Sequence, residues 1–228
     1  MKSIAAASFL VAAALAAQAA SASTTVSIKW QGLDQAGVKF STMDSSVSAT
    51  LPVTNNYATS ALNYTYADTG ASFIAYCVEP EQSNGRAGIA RTYSIESFSG
   101  VQAQHLQGLY STAYAGLSSY DDKAAFQLAV WELVRETGST LDVGSGSFHI
   151  AGSDATSTQL TSLANSFVSQ ALAYSGPAQY TLTKLTNAQA QDLITASPLS
   201  AVPEPETYAL FLGGLGVVGL LARRRLPR

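Results

Sequence analysis

The chain has 228 residues, one cysteine and two histidines, and its formal net charge is −3 at pH 7. Between its two apolar ends, acidic residues outnumber basic ones and no basic cluster occurs, which argues against nucleic-acid binding because phosphate contacts need a positive surface. One cysteine, two scattered histidines and no tight carboxylate cluster also provide no ligand set for a metal ion.

Residues 1–22 have the pattern of a signal peptide. Lys2 supplies the positive start, a run of small and apolar residues covers 4–17, and Ala20-Ser21-Ala22 fits a cleavage site. The run is too short and too rich in alanine for a stable membrane span. The pattern therefore predicts export, with removal of residues 1–22 by signal peptidase.

The first half of the remaining chain is predicted to be rich in β-strands. Alternating apolar residues favour strands near its start, and the segment 71–79 is apolar on both faces, as is typical of an inner strand. Polar, turn-forming segments separate these runs at 31–37, 54–63 and 79–88. The strands predicted in this half are 24–30, 45–53 and 71–79. In the second half, strands are predicted at 178–185 and 190–195, with a short strand or hairpin at 141–152.

The middle of the chain is predicted to be helical, over 101–117, 118–138 and about 155–174. Ser119 and Asp122 resemble a capping box at the start of the second helix, with Asp in the position usually held by Glu. The fold class is therefore predicted as α+β: a β-rich, sandwich-like or barrel-like body with an inserted cluster of helices.

Gln127 occupies an unusual position on the second helix. At 100° per residue it falls in the middle of the apolar face, close to Trp131, whereas Glu132 and Glu136 fall on the opposite, acidic face. A buried carboxamide must satisfy both its donors and its acceptor. Periodicity alone favours the plain interpretation, a glutamine that bonds to a neighbouring backbone edge.

A second interpretation combines Gln127 with Cys77, the lone cysteine on the apolar strand. A thiolate held against a glutamine carboxamide, with water excluded, can expel ammonia and leave an internal thioester. This reaction needs no cofactor; it needs proximity and donors for the oxyanion. Burial would also keep the cysteine from forming a disulfide with another chain.

The motifs "YCVE" at 76–79 and "FQLAVWE" at 126–132 resemble those of the Cys–Gln thioester domain of bacterial surface adhesins. The resemblance extends through 91–95 and 106–114 and covers most of 24–195. It implies a thioester-domain-like fold, a crosslink between Cys77 and Gln127, and Trp131 packed near the bond. It also implies covalent attachment that happens once, to an amine or hydroxyl, and not turnover catalysis. Phe126 departs from the threonine of that motif.

Two other functions remain open at this point. The first is a passive matrix or surface protein of the same fold, in which Cys77 is a buried thiol and Gln127 a hydrogen-bonding core residue; Phe126 favours it. The second is a cysteine hydrolase, whose base would have to be His105 or His149, the only histidines.

The C-terminal segment carries a separate signal. Val202-Pro203-Glu204-Pro205 precedes an uncharged, glycine-rich stretch at 207–222 and then Arg223, Arg224 and Arg225. This order resembles the PEP-CTERM sorting tail, with Pro203, Glu204 and Pro205 as its motif. The resemblance implies a Gram-negative bacterium, transient membrane insertion through 207–222, and processing by an exosortase. It also implies delivery to the cell surface or extracellular matrix and a link to biofilm.

The sequence thus divides into four segments. They are a signal peptide (1–22), a thioester-like α+β domain (23–197), a linker with the PEP motif (198–206) and a hydrophobic sorting helix with an arginine-rich tail (207–228). A polysaccharide hydroxyl or a lysine of a neighbouring surface protein is the expected covalent target.

Overall fold

The chain forms nine strands and three α-helices in the part that the structure, a computed structural model, describes. The described residues are 24–34, 39–45, 54–80, 82–137, 139–199 and 213–215. The strands are β1 (Thr25–Leu33), β2 (Lys39–Ser45), β3 (Thr54–Thr59), β4 (Leu62–Tyr66), β5 (Ser72–Cys77), β6 (Ala90–Glu96), β7 (Phe148–Ile150), β8 (Tyr180–Thr186) and β9 (Leu193–Pro198). The helices are α1 (Gly100–Ala113), α2 (Tyr120–Arg135) and α3 (Ala155–Ala173), and a short 3-10 helix follows α1 at Tyr114–Gly116.

Six strands close into an antiparallel barrel in the order β1-β4-β5-β9-β8-β6. The other three form an antiparallel sheet in the order β3-β2-β7. Closure removes exposed sheet edges from the barrel. The helices are inserted between β6 and β8 and pack on one another, and α2 also contacts β3, β5 and β7. This arrangement confirms the predicted α+β class.

The start of α2 is fixed by the predicted capping box. The N–H of Asp122 donates to the Ser119 hydroxyl at 3.0 Å, and the N–H of Ser119 donates to the Asp122 carboxylate at 2.8 Å. These bonds satisfy two of the unpaired N–H groups of the first turn. The capping box therefore fixes the residue at which α2 begins.

Burial along α2 differs from the predicted two-faced pattern. All residues from Ala124 to Leu133 are buried, including Glu132, whose exposed fraction is 0%. The expectation of an acidic face opposite Gln127 is wrong at Glu132, because α2 is enclosed on several sides by the barrel, α1, α3 and β7. A helical wheel predicts the direction of each side chain around the helix axis, but it does not predict how many of those directions are covered by other elements.

Several strands were missed in the sequence. The predicted turn at 54–63 contains β3 and the start of β4, and 31–33 continues β1. Neither β2 nor β6 was predicted as a strand. The helices agree with prediction to within a few residues, as do the strands that begin near 24, 72 and 180.

Some predictions fall outside the described residues. They are the signal peptide (1–22), nearly all of the predicted strand 45–53, and almost the whole of the sorting segment, including Pro203, Glu204 and Pro205. Among the described residues, no helix is long and apolar enough to cross a membrane.

Candidate functional site

Cys77 lies at the end of β5, at the point where the ladder to β4 stops. It pairs with Leu193 of β9 on one side. On the other side, β4 pairs with β5 only from Ser72 to Ala75. The main chain of Cys77 therefore needs partners that β4 does not supply.

The side chain of Gln127 supplies those partners. The N–H of Cys77 donates to Gln127 Oε1 at 2.8 Å, and Gln127 Nε2 donates to the Cys77 carbonyl oxygen at 2.8 Å. The carboxamide thus extends the strand ladder by one pair of bonds, as another strand residue would. Both residues are buried, with exposed fractions of 3% for Cys77 and 1% for Gln127. The structure therefore brings the two residues together, through the backbone contact that the plain interpretation expected of the glutamine.

The residues that precede Cys77 and Gln127 also pack on each other. The ring centroids of Tyr76 and Phe126 are 4.7 Å apart, and both side chains are buried. Phe126 is also 5.0 Å from the ring of Tyr110 and 6.3 Å from that of Phe167. Phe126 is therefore part of an aromatic cluster that packs α2 against β5. The contact of Phe126 with Tyr76 keeps the next residues, Gln127 and Cys77, beside each other.

The environment of the Cys77 sulfur favours the neutral thiol. Burial raises the pKa of Cys77 well above its ordinary value, and the negative charges of Glu79 and Asp192 raise it further. Hydrogen bonds with the Trp131 side chain and with the Glu79 backbone lower the pKa but do not cancel the effect of burial. The thiol donates to the carbonyl oxygen of Glu79 at 2.9 Å. Trp131 is buried, and its side chain lies within hydrogen-bonding reach of the sulfur.

A small cavity of about 90 Å³ borders the Cys77–Gln127 pair. The residues that line it are Leu33, Leu62, Cys77, Asn84, Gln127, Trp131 and Gln191. It exceeds the ~10–15 Å³ that a single water requires on this measure. A small molecule or the end of a side chain can therefore occupy space beside Cys77 and Gln127.

Neither histidine belongs to this site. His105 lies on α1, and His149 lies on β7, where its Nδ1 is 2.9 Å from the carbonyl oxygen of Gly146. The cavity at Cys77 is lined by neither of them. No group of three potential metal ligands occurs among the described residues.

Sequence reasoning missed Asn84 and Gln191, which also line the cavity. Asn84 lies in a segment that was predicted as a turn, and its Oδ1 accepts a hydrogen bond from the Tyr64 hydroxyl at 3.0 Å. Gln191 precedes β9, within the short run 190–195 that was predicted as a strand. Polar residues in loops carry no periodic signal, so their direction toward Cys77 could not be found from the sequence.

The C-terminal residues 201–225 match the family described as the PEP-CTERM protein-sorting motif. The match confirms the resemblance that Pro203, Glu204 and Pro205 suggested, and it implies export and processing by an exosortase in a Gram-negative bacterium. The chain is thus an exported protein with a PEP-CTERM sorting signal. A comparison with curated proteins returns no significant match.

Two solved structures of surface proteins are similar to the chain. The N-terminal domain of the Streptococcus pyogenes pilus tip adhesin Cpa aligns at 13% identity with a TM-score of 0.46, over 73% of this chain and 98% of that one. The N-terminal thioester domain of a surface protein from Clostridium perfringens aligns at 12% identity with a TM-score of 0.47, over 77% of this chain and 100% of that one. Both TM-scores are below 0.5, so the barrel described above rests on the strand pairing of this chain itself.

Proposed function

We propose that Cys77 and Gln127 form an internal thioester, and that the exported protein uses it once, to attach covalently to a nucleophile at the cell surface or in the extracellular matrix. The observation that carries the proposal is the double hydrogen bond between the Gln127 carboxamide and the main chain of Cys77. It holds the acyl group of one residue beside the residue that carries the thiol.

The same contact supports the chemistry of bond formation. Attack of the sulfur on Gln127 Cδ turns Oε1 into an oxyanion, and the N–H of Cys77 already donates to that atom at 2.8 Å. The new C–S bond forms as the C–N bond breaks. The thiol proton passes to the departing nitrogen, which leaves as ammonia. No oxidant, metal or cofactor is required.

Burial explains both the stability of the product and the slowness expected of its formation. The raised pKa of Cys77 keeps the thiol neutral, so its proton must leave during the attack. Once the thioester exists, the buried walls of the cavity limit hydrolysis. A bond that forms slowly and is consumed once suits an adhesion protein and is not turnover catalysis.

A passive matrix or surface protein of the same fold is the second candidate. It is favoured by the same two hydrogen bonds, because they satisfy the buried carboxamide without any reaction. In that case Gln127 only ends the β4–β5 ladder, and Cys77 is an inert buried thiol.

Intact-mass measurement separates the two candidates. The full chain is purified in detergent and its mass is recorded without heating, beside a Cys77→Ala variant. The thioester predicts a mass one ammonia lower than calculated in the parent protein only, and the addition of one methylamine after treatment with that amine. An unmodified mass, together with a thiol that titrates after unfolding, would instead establish the passive protein.

A further inference from the structure

Gln191 is the buried polar side chain of the site that lacks a partner. Its exposed fraction is 9%, and its Oε1 is buried without a hydrogen-bond partner among the described residues. Its backbone is fixed, since its N–H donates to the carbonyl oxygen of Ser83 at 3.0 Å. Buried acceptors are almost always paired in folded proteins. An unpaired oxygen on the wall of a cavity therefore indicates a donor that enters the cavity.

The neighbouring groups indicate which kind of donor fits. Asn84 Oδ1 is a second oxygen of the cavity wall and already accepts one bond, from Tyr64. The two wall oxygens, Gln191 Oε1 and Asn84 Oδ1, can therefore each accept a hydrogen bond from one donor group in the cavity. A neutral primary amine carries two N–H donors, whereas an alcohol carries one O–H donor.

We propose that Gln191 selects the nucleophile: its side-chain oxygen accepts an N–H of a primary amine in the cavity and holds the amine nitrogen against the acyl carbon of Gln127. This inference rests on the proposed thioester. The substrate class is a primary amine at the end of an unbranched chain, because the cavity of about 90 Å³ leaves little room beside the reacting atoms.

The reaction at this position balances without another reactant. The amine enters the site as the free base, having left its extra proton in the solvent, and its nitrogen attacks Gln127 Cδ. A C–N bond forms, the C–S bond breaks, and a proton of the amine passes to the Cys77 sulfur. The products are a free thiol and a secondary amide at Gln127. Water can also donate to Gln191, but it has no chain to fill the cavity, so one hydrogen bond fixes its position less than it fixes that of an amine.

The test compares the full parent chain with Gln191→Met, which keeps the length of the side chain and removes its carboxamide. Gln104→Met, on the exposed face of α1, is the matched control. The ammonia loss is measured first in each protein, and then the rates of reaction with methylamine and with water. We expect Gln191→Met to form the thioester, to react with methylamine about tenfold more slowly, and to hydrolyse at the parent rate or faster. The control should match the parent in all three measurements.

The results also separate failure of this inference from failure of the thioester. If Gln191→Met loses ammonia but reacts with methylamine at the parent rate, or if both rates fall equally, selection by Gln191 is wrong. If no protein loses ammonia, methylammonium is titrated into Cys77→Ala and into Cys77→Ala with Gln191→Met, with NMR of the side-chain amides as the readout. Binding that requires Gln191 would then support the amine site without the thioester, and equal or absent binding would overturn it.

Discussion

Glu132 is a buried carboxyl group that helps to organise the loop after α2. Its side chain has no exposed surface, and its Oε1 accepts a hydrogen bond from the N–H of Asp142 at 2.7 Å. Burial raises the pKa of Glu132 to about 8, and the charges of Glu136 and Asp142 contribute, although the bond from Asp142 acts in the other direction. Glu132 is therefore protonated in the folded protein at neutral pH.

This pKa predicts how the free energy of unfolding depends on pH. In the unfolded chain the pKa of Glu132 returns to about 4.5, so between the two values the folded state binds one more proton. The contribution of protonated Glu132 to the free energy of unfolding is complete below about pH 4.5 and is lost as the pH rises through about 8. Glu132→Gln keeps the acceptor oxygen and cannot ionise, so its free energy of unfolding should fall less between pH 6 and 9. Urea denaturation at several pH values measures the free energy of unfolding of both proteins. An equal fall with pH in the parent and in Glu132→Gln would contradict the prediction.

The packing of α1 on α3 depends on a close approach of the two helices at Gly108. A Cβ built on Gly108 would lie 3.0 Å from the carbonyl carbon of Ala171 and closer still to its oxygen. The contact is with backbone, which cannot turn aside as a flexible side chain can. The two helices can therefore pack at this distance only because the residue on α1 has no side chain.

Gly108→Ala should accordingly destabilise the protein. Overpacking against backbone costs about 1–3 kcal/mol, although the higher helix propensity of alanine recovers up to about 1 kcal/mol. We expect a net loss in the free energy of unfolding, measured with urea. Gly116→Ala is the control, because a Cβ at Gly116 meets nothing within 4 Å. If Gly108→Ala loses no more free energy of unfolding than Gly116→Ala, then α1 and α3 can move apart to accept the added Cβ without destabilising the protein.

Elements with a local signal could be predicted from the sequence, and elements defined by distant partners could not. The helices follow from their apolar period, and α2 also from the pair Ser119 and Asp122. By contrast, β3 reads Thr-Asn-Asn-Tyr-Ala-Thr, a composition typical of turns, and it exists because it pairs with β2. Strand pairing of this kind depends on tertiary context more than on propensity.

Only part of the candidate site could be predicted from the sequence. The wheel placed Gln127 on the apolar face and the alternation placed Cys77 on an inner strand, but only the resemblance joined them. The packing of Tyr76 on Phe126 and the position of Gln191 depend on how α2 and the loop before β9 meet the barrel. No spacing along the chain encodes these contacts.

The barrel as a whole protects the thiol of Cys77. A reagent larger than the cavity of about 90 Å³ reaches the sulfur only if β5 separates from β9 or α2 moves, because β9 pairs beside Cys77 and Gln127 covers its other side. Opening of this kind is a cooperative event in a small domain. The reactivity of the cysteine is therefore a property of the whole fold.

Thiol labelling tests this protection. In native buffer, a maleimide should leave Cys77 unmodified on the time scale in which it labels an exposed cysteine fully. The reference is Ser197→Cys in a Cys77→Ala background, since Ser197 is exposed at the end of β9. In urea, Cys77 should react at once if it is free, or only after hydroxylamine if it is held as a thioester. Fast labelling in native buffer would show that the barrel opens locally at β9.

The position of β9 also sets an order of events during secretion. It is the last barrel strand in the chain, yet it lies between β5 and β8. A chain that emerges N-terminus first therefore leaves β5 as an open edge until residues 193–198 arrive. Until that moment water reaches Cys77 from the side that Leu193 later covers. The sorting motif follows at 201–225, so β9 can cover Cys77 only when the segment just before the sorting signal has emerged.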